Sequence, residues 1–138
     1  MAAITVTKAN VRPVNAHQCI IRQLVSGEAV DVGEIVYVKS DGLAWLAAGG
    51  TAAPARVIGI VVAIGSQGQV TGVGAGEELS VVMFGPVTGM SSMTPGAPAY
   101  VSDTAGGLGT TAGTVSSVVG LSLTADILWV QPGFPIPA

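Results

Sequence analysis

The only histidine and the only cysteine of the chain, His17 and Cys19, are separated by one residue. On a β-strand that spacing puts both side chains on one face, where a thiolate–imidazole pair is geometrically conceivable. A lone cysteine beside a half-exposed histidine is the ordinary case, and we read Cys19 as an unreactive thiol. One histidine and one cysteine cannot assemble a zinc site of the usual kind within a single chain. Glu77 and Glu78 form an acidic pair, but adjacent strand residues point to opposite faces, which places them poorly as paired carboxylates. Asp41, Asp103 and Glu77 are loop carboxylates of a type that suits calcium, yet no EF-hand or calcium-repeat spacing surrounds them. The run Gly72-Val73-Gly74-Ala75-Gly76 has the glycine content of a phosphate loop. It lacks the Lys-Ser/Thr pair and the helix start that would supply charge and amide donors. No G-x-S-x-G nucleophile elbow occurs. The expectation is a chain that is not an enzyme, with no catalytic residue, cofactor or metal.

The elements that would position any site form a pattern that occurs twice, about sixty residues apart. The first copy runs Val25-Ser26-Gly27, Gly33, Ile35-Val36-Tyr37-Val38, then Ser40-Asp41-Gly42-Leu43. The second runs Val87-Thr88-Gly89, Gly96, Pro98-Ala99-Tyr100-Val101, then Ser102-Asp103 and, after a glycine turn, Leu108. Each continues into an apolar strand around a glycine, Val57-Ile58-Gly59-Ile60 and Val118-Val119-Gly120-Leu121. Each closes on an acid, an apolar run and a Gly/Pro break. Val and Ile together number 30 against 8 Leu, with 11 Thr and 20 Gly, a balance that favours pleated strands and tight turns over helices. We expect an all-β protein: a compact β-barrel or jelly-roll-like sandwich built from two similar strand sets.

At 138 residues the chain makes one domain. Strands are expected over residues 19–25, 34–39, 43–47, 57–64, 79–84, 99–102, 115–123 and 127–131. Residues 17–131 form the barrel, with the repeat dividing into 25–86 and 87–131. A loop with five glycines, Gly65 to Glu77, belongs to the first copy alone and is the natural place for a contact unique to one side. Residues 1–16 read as an extended N-terminal arm and 132–138 as an extended C-terminal tail, whose Phe134 and Ile136 suit docking into a neighbour's groove.

Five Lys/Arg and eight Asp/Glu in 138 residues are few for a protein that keeps its whole surface in water. A body partly covered by copies of itself or by a larger partner has this composition. The charges are also unevenly placed: Lys8, Arg12 and Arg22 precede the first acid, Glu28, and no Lys or Arg follows Arg56. A basic leading segment on an acidic body suggests an arm that reaches an acidic surface. No dense basic patch with interleaved aromatics is present, so no nucleic-acid partner is expected. The longest apolar run, Val57 to Ile64, is strand length, and no membrane association or secretory signal is expected.

The motifs Gly27-Glu28-Ala29-Val30-Asp31-Val32-Gly33-Glu34-Ile35-Val36-Tyr37-Val38, Asp41-Gly42-Leu43-Ala44-Trp45 and Ile58-Gly59-Ile60-Val61 resemble the capsid decoration, or cement, proteins of tailed bacteriophages and prophages. Thr94-Pro95-Gly96-Ala97-Pro98-Ala99-Tyr100-Val101-Ser102 and Val119-Gly120-Leu121 continue the resemblance, which spans roughly residues 18–131. It implies a β-barrel or jelly-roll-like fold, commonly trimeric. It also implies a structural virion protein, made in the host bacterial cytoplasm, that sits on the outer capsid surface and bridges neighbouring major-capsid subunits. Position and composition then mark Lys8, Arg12 and Arg22 as shell contacts, and Phe134 and Ile136 as intersubunit or shell anchors. The rival is a phage fibre, baseplate or adhesin module that binds carbohydrate through exposed aromatic platforms.

Overall fold

A computed structural model describes residues 4–51, 53–65 and 69–132. Glycines at the turns and β-branched residues between them give an all-β chain whose antiparallel sheet curls into a half-barrel. Phe134 and Ile136 lie outside the described residues.

The sheet is organised around one long strand, β7 (Glu78–Thr88). Along its first half run β3 (Ile20–Val25) on one flank and β6 (Gly59–Ile64) on the other; β6 leads on to β4 (Ile35–Val38) and β5 (Ala44–Leu46). Along its second half run β2 (Arg12–Pro13) and β12 (Ile127–Val130). From β12 the sheet continues through β11 (Val118–Ser122), β9 (Pro98–Val101) and β10 (Leu108–Gly109). A short ladder joins β1 (Thr5–Val6) to β8 (Met90–Ser91).

The two strand sets share connectivity and hydrogen bonding. In the first, Gly33 N–H donates to the Val61 carbonyl at 2.8 Å and Val61 N–H to Glu34 at 3.0 Å. In the second, Gly96 donates to Ser122 at 2.7 Å and Ser122 to Ala97 at 2.9 Å. The ends of the sheet are tied together by Gly106 N–H to Ala47 (2.7 Å), Ile35 N–H to Gly106 (3.1 Å) and Gly49 N–H to Ser102 (2.8 Å). Inside lie Val30, Ile35, Ile60, Ile64, Leu79, Val81, Leu108 and Leu128, all essentially without solvent contact. Each such side chain contributes about 1.5–3 kcal/mol of transfer free energy.

Two expectations are revised. Residues expected to stop a strand at Phe84 instead carry β7 through Gly85 and Pro86. Gly85 takes φ +124°, which lets the strand turn from one set to the other, and Pro86 still accepts through its carbonyl. The N-terminal segment is also no free arm. Ile4 and Val11 are buried in the core, Ile4 N–H donates to Leu108 at 3.0 Å, and Thr7 N–H donates to Gly89 at 2.9 Å. Two apolar side chains spaced to reach the core dock the segment on its own body.

Candidate functional site

Of the five positions marked from sequence, the structure describes Lys8, Arg12 and Arg22, and it gives them different settings. Lys8 lies along the chain's own surface: its Nζ is 2.8 Å from Asp31 Oδ2, so the acidic surface that this cation meets is the chain's own. Asp31 also accepts from Gly72 N–H at 2.9 Å. Burial alone would raise its pKa, but the hydrogen bonds from Lys8 and Gly72 and the charge of Lys8 bring it below the ordinary value. Beside it, half-buried Glu34 accepts from Asp31 N–H at 2.7 Å, and burial holds its carboxyl above the ordinary value. Lys8 is therefore a latch for the N-terminal segment.

Arg12 and Arg22 remain exposed, and both lie on the chain segment that borders β7. β2 follows the second half of β7, a short 3₁₀ turn over Ala16–Gln18 crosses the bend, and β3 follows the first half. Three of the exposed large hydrophobics lie on this border: Val14 at 49%, Ile20 at 58% and Val25 at 41% of full exposure. Between Asn10 and Gly27 the chain has Arg12 and Arg22 and no acid. The result is a basic strip with apolar side chains, about the length of β7. The sequence flagged the cations, but the apolar residues were hidden because edge and central strands have the same β-branched composition.

The residues with conceivable chemistry are used locally. His17 and Cys19 do not share a strand: Asn15 Oδ1 accepts from His17 N–H at 3.0 Å and caps the 3₁₀ turn. Cys19 Sγ instead donates to the Pro86 carbonyl at 3.5 Å, and burial raises its pKa. Asp41 accepts from Leu43 N–H and Trp45 Nε1–H within its hairpin. Asp103 accepts from Thr114 N–H at 2.9 Å and from its hydroxyl at 2.8 Å, which lowers the Asp103 pKa. Glu77 accepts from Val73 N–H at 2.8 Å, Gly74 N–H at 3.4 Å and Gln69 Nε2–H at 2.9 Å. It thereby shapes the described part of the glycine loop. Among the described residues no three His, Cys, Asp or Glu side chains gather as metal ligands, and no helix is long and apolar enough to cross a membrane.

The two tryptophans are likewise engaged. Lys39 Nζ sits 3.6 Å from the Trp45 ring centroid, and Gly27 packs against the same indole so closely that a Cβ there would overlap it. Trp129 meets Phe84 edge to face at 5.2 Å. No protein-family model matches the chain, and no curated protein matches it.

Proposed function

We propose that this chain is a capsid decoration protein: a structural, non-enzymatic virion component that binds the outside of a phage shell and bridges neighbouring major-capsid subunits. The observation that carries the reading is the Arg12–Val25 border, a basic and partly apolar strip on a body with few charges. A strip of that kind suits an acidic protein surface. The sequence resemblance supplies the setting, and the local use of Cys19, Asp41, Glu77 and Asp103 is what a scaffold requires.

Assembly as a homotrimer gives the strip its strength. One copy contributes modest binding energy, whereas three held together engage the shell with a high effective concentration for the second and third contacts. Among the cations, Arg12 and Arg22 are assigned to the shell and Lys8 to the chain's own Asp31. Carbohydrate binding is the weaker reading, since Trp45 is covered by Lys39 and Gly27 and offers no open platform.

The test is the copy number of the chain in purified virions, by quantitative mass spectrometry against the major capsid protein. One copy per capsid subunit, or a simple fraction of it, is the expected result. A handful of copies would place the chain in the tail or a fibre, and its absence from virions would overturn the reading.

A further inference from the structure

The second strand set indicates what is missing from the first. The second half of β7 flanks β12 as β3 flanks the first half of β7. The outer edge of that second half is covered: Arg12 and Pro13 pair with Thr88 and Val87, and Val14 N–H donates to the Pro86 carbonyl at 3.0 Å. Among the described residues nothing corresponding covers β3.

The direction of its free groups follows from the ladder. Ser26 N–H donates to the Glu77 carbonyl at 2.8 Å, and Gly65 N–H donates to the Glu78 carbonyl from the β6 side. Antiparallel pairing alternates along a strand, so Arg22 and Leu24 turn their backbone groups toward β7, while Ile21, Gln23 and Val25 turn theirs outward. Among the described residues no backbone group pairs with those three on the outer side. An unpaired edge of this kind is a template for another strand.

The side chains select the recruit. Arg22 is the only charge on β3. A second copy paired antiparallel about Gln23 would set Arg22 diagonal to its own counterpart, with no acid on either strand to separate them. A strand carrying a carboxylate near Arg22 and apolar residues near Ile21 and Val25 has the complementary pattern. We infer that β3 is completed by an extended, acidic strand of the capsid-shell protein, running antiparallel as β2 does along the other half of β7. The inference rests on the decoration reading and specifies its contact.

The experiment is amide hydrogen exchange on the intact chain, free and bound to expanded shells of the same phage's major capsid protein. In the free chain Ile21, Gln23 and Val25 should exchange rapidly beside slow Arg22 and Leu24. On shells the three should slow by about tenfold or more, as newly paired strand amides do. Gln23→Pro removes an outward N–H without taking a bond from the ladder to β7. It should weaken shell affinity by about tenfold more than Gln23→Ala, which loses the same side chain but keeps the N–H, and Arg22→Glu should weaken it by about tenfold as well. Failure of the wild-type chain to bind shells would overturn the decoration reading and this inference with it. Binding with unchanged exchange at the three amides would overturn the inference alone. Slow exchange in the free chain would assign the edge to a second copy if it depended on concentration, and to the chain's own segments if it did not; either would overturn the inference.

Discussion

Gly59 and Gly120 occupy the same position in the two strand sets. Gly59 pairs with Val36 of β4, and Gly120 pairs with Ala99 of β9. A Cβ on either would be driven into a backbone carbonyl of the next strand, that of Val82 or of Trp129. Backbone cannot retreat as a flexible side chain can, so Gly59→Ala and Gly120→Ala should each destabilise the fold by about 2–3 kcal/mol. Gly50→Ala, which would meet nothing within 4 Å, should change stability little. Urea titration of the three variants measures this, and equal stabilities would refute the shared role of Gly59 and Gly120.

The likeness of the two strand sets was legible in sequence because the same glycines, tyrosines and apolar runs recur where the same register recurs. The fate of residues 4–15 was less so: Ile4, Val6 and Val11 are interspersed with Thr5, Thr7, Lys8 and Asn10 and form no continuous apolar run. His17 and Cys19 would share a face only on a strand, and spacing alone cannot distinguish a strand from a 3₁₀ turn. Asn15, whose side chain caps that turn, was the available signal. The open edge of β3 could not be read locally, since whether a strand lies inside a sheet or at its rim depends on its neighbours.

The Lys8–Asp31 pair should make the docking of the N-terminal segment weakly pH-dependent. Asp31 has a lowered folded pKa, so its contribution is present above the unfolded carboxyl value and lost as pH falls through the folded one. The partners are 43% and 30% exposed, and solvent screening limits the pair to about 0.5 kcal/mol. Lys8→Met should lose that amount at neutral pH and nothing once Asp31 is protonated. Chemical denaturation across the acid range checks both ends, and a loss independent of pH would attribute the effect to packing.

Glu34 should behave in the opposite sense. Burial raises its folded pKa, so the native state favours the protonated carboxyl and stability declines as pH rises through that value. Glu34→Gln keeps an acceptor for Asp31 N–H and removes the ionisation. The variant should match wild type in acid and exceed its thermal midpoint at neutral pH. A midpoint below wild type at neutral pH would show that the ionised carboxylate supports the latch.

Glu77 should govern the order of the glycine loop. Its carboxylate holds Val73 and Gly74 by their amides and Gln69 by its side chain, all near solvent. Glu77→Ala should cost about 1 kcal/mol and speed exchange at the Val73 and Gly74 amides. Glu77→Gln should lose less, because one amide oxygen can still accept. Unchanged exchange in Glu77→Ala would mean that the Asp31 bond to Gly72 suffices to shape the loop.

Cys19 tests the non-enzymatic part of the reading through its thiol. A nucleophilic cysteine is kept as thiolate by a cation or a helix N-terminus, which lowers its pKa and speeds its reaction near neutral pH. Cys19 has the reverse setting: burial raises its pKa, and its Sγ–H is aimed at the Pro86 carbonyl. The folded chain should therefore react with a disulfide reagent at neutral pH about tenfold or more slowly than a free cysteine does. The rate should climb as pH rises past the ordinary thiol range and reach the free value on unfolding. Cys19→Ala should leave shell binding intact, since the side chain supports no contact on the exposed border. Fast labelling with an inflection below neutral pH would instead reveal a stabilised thiolate, and the case for a scaffold without catalysis would fail at that residue.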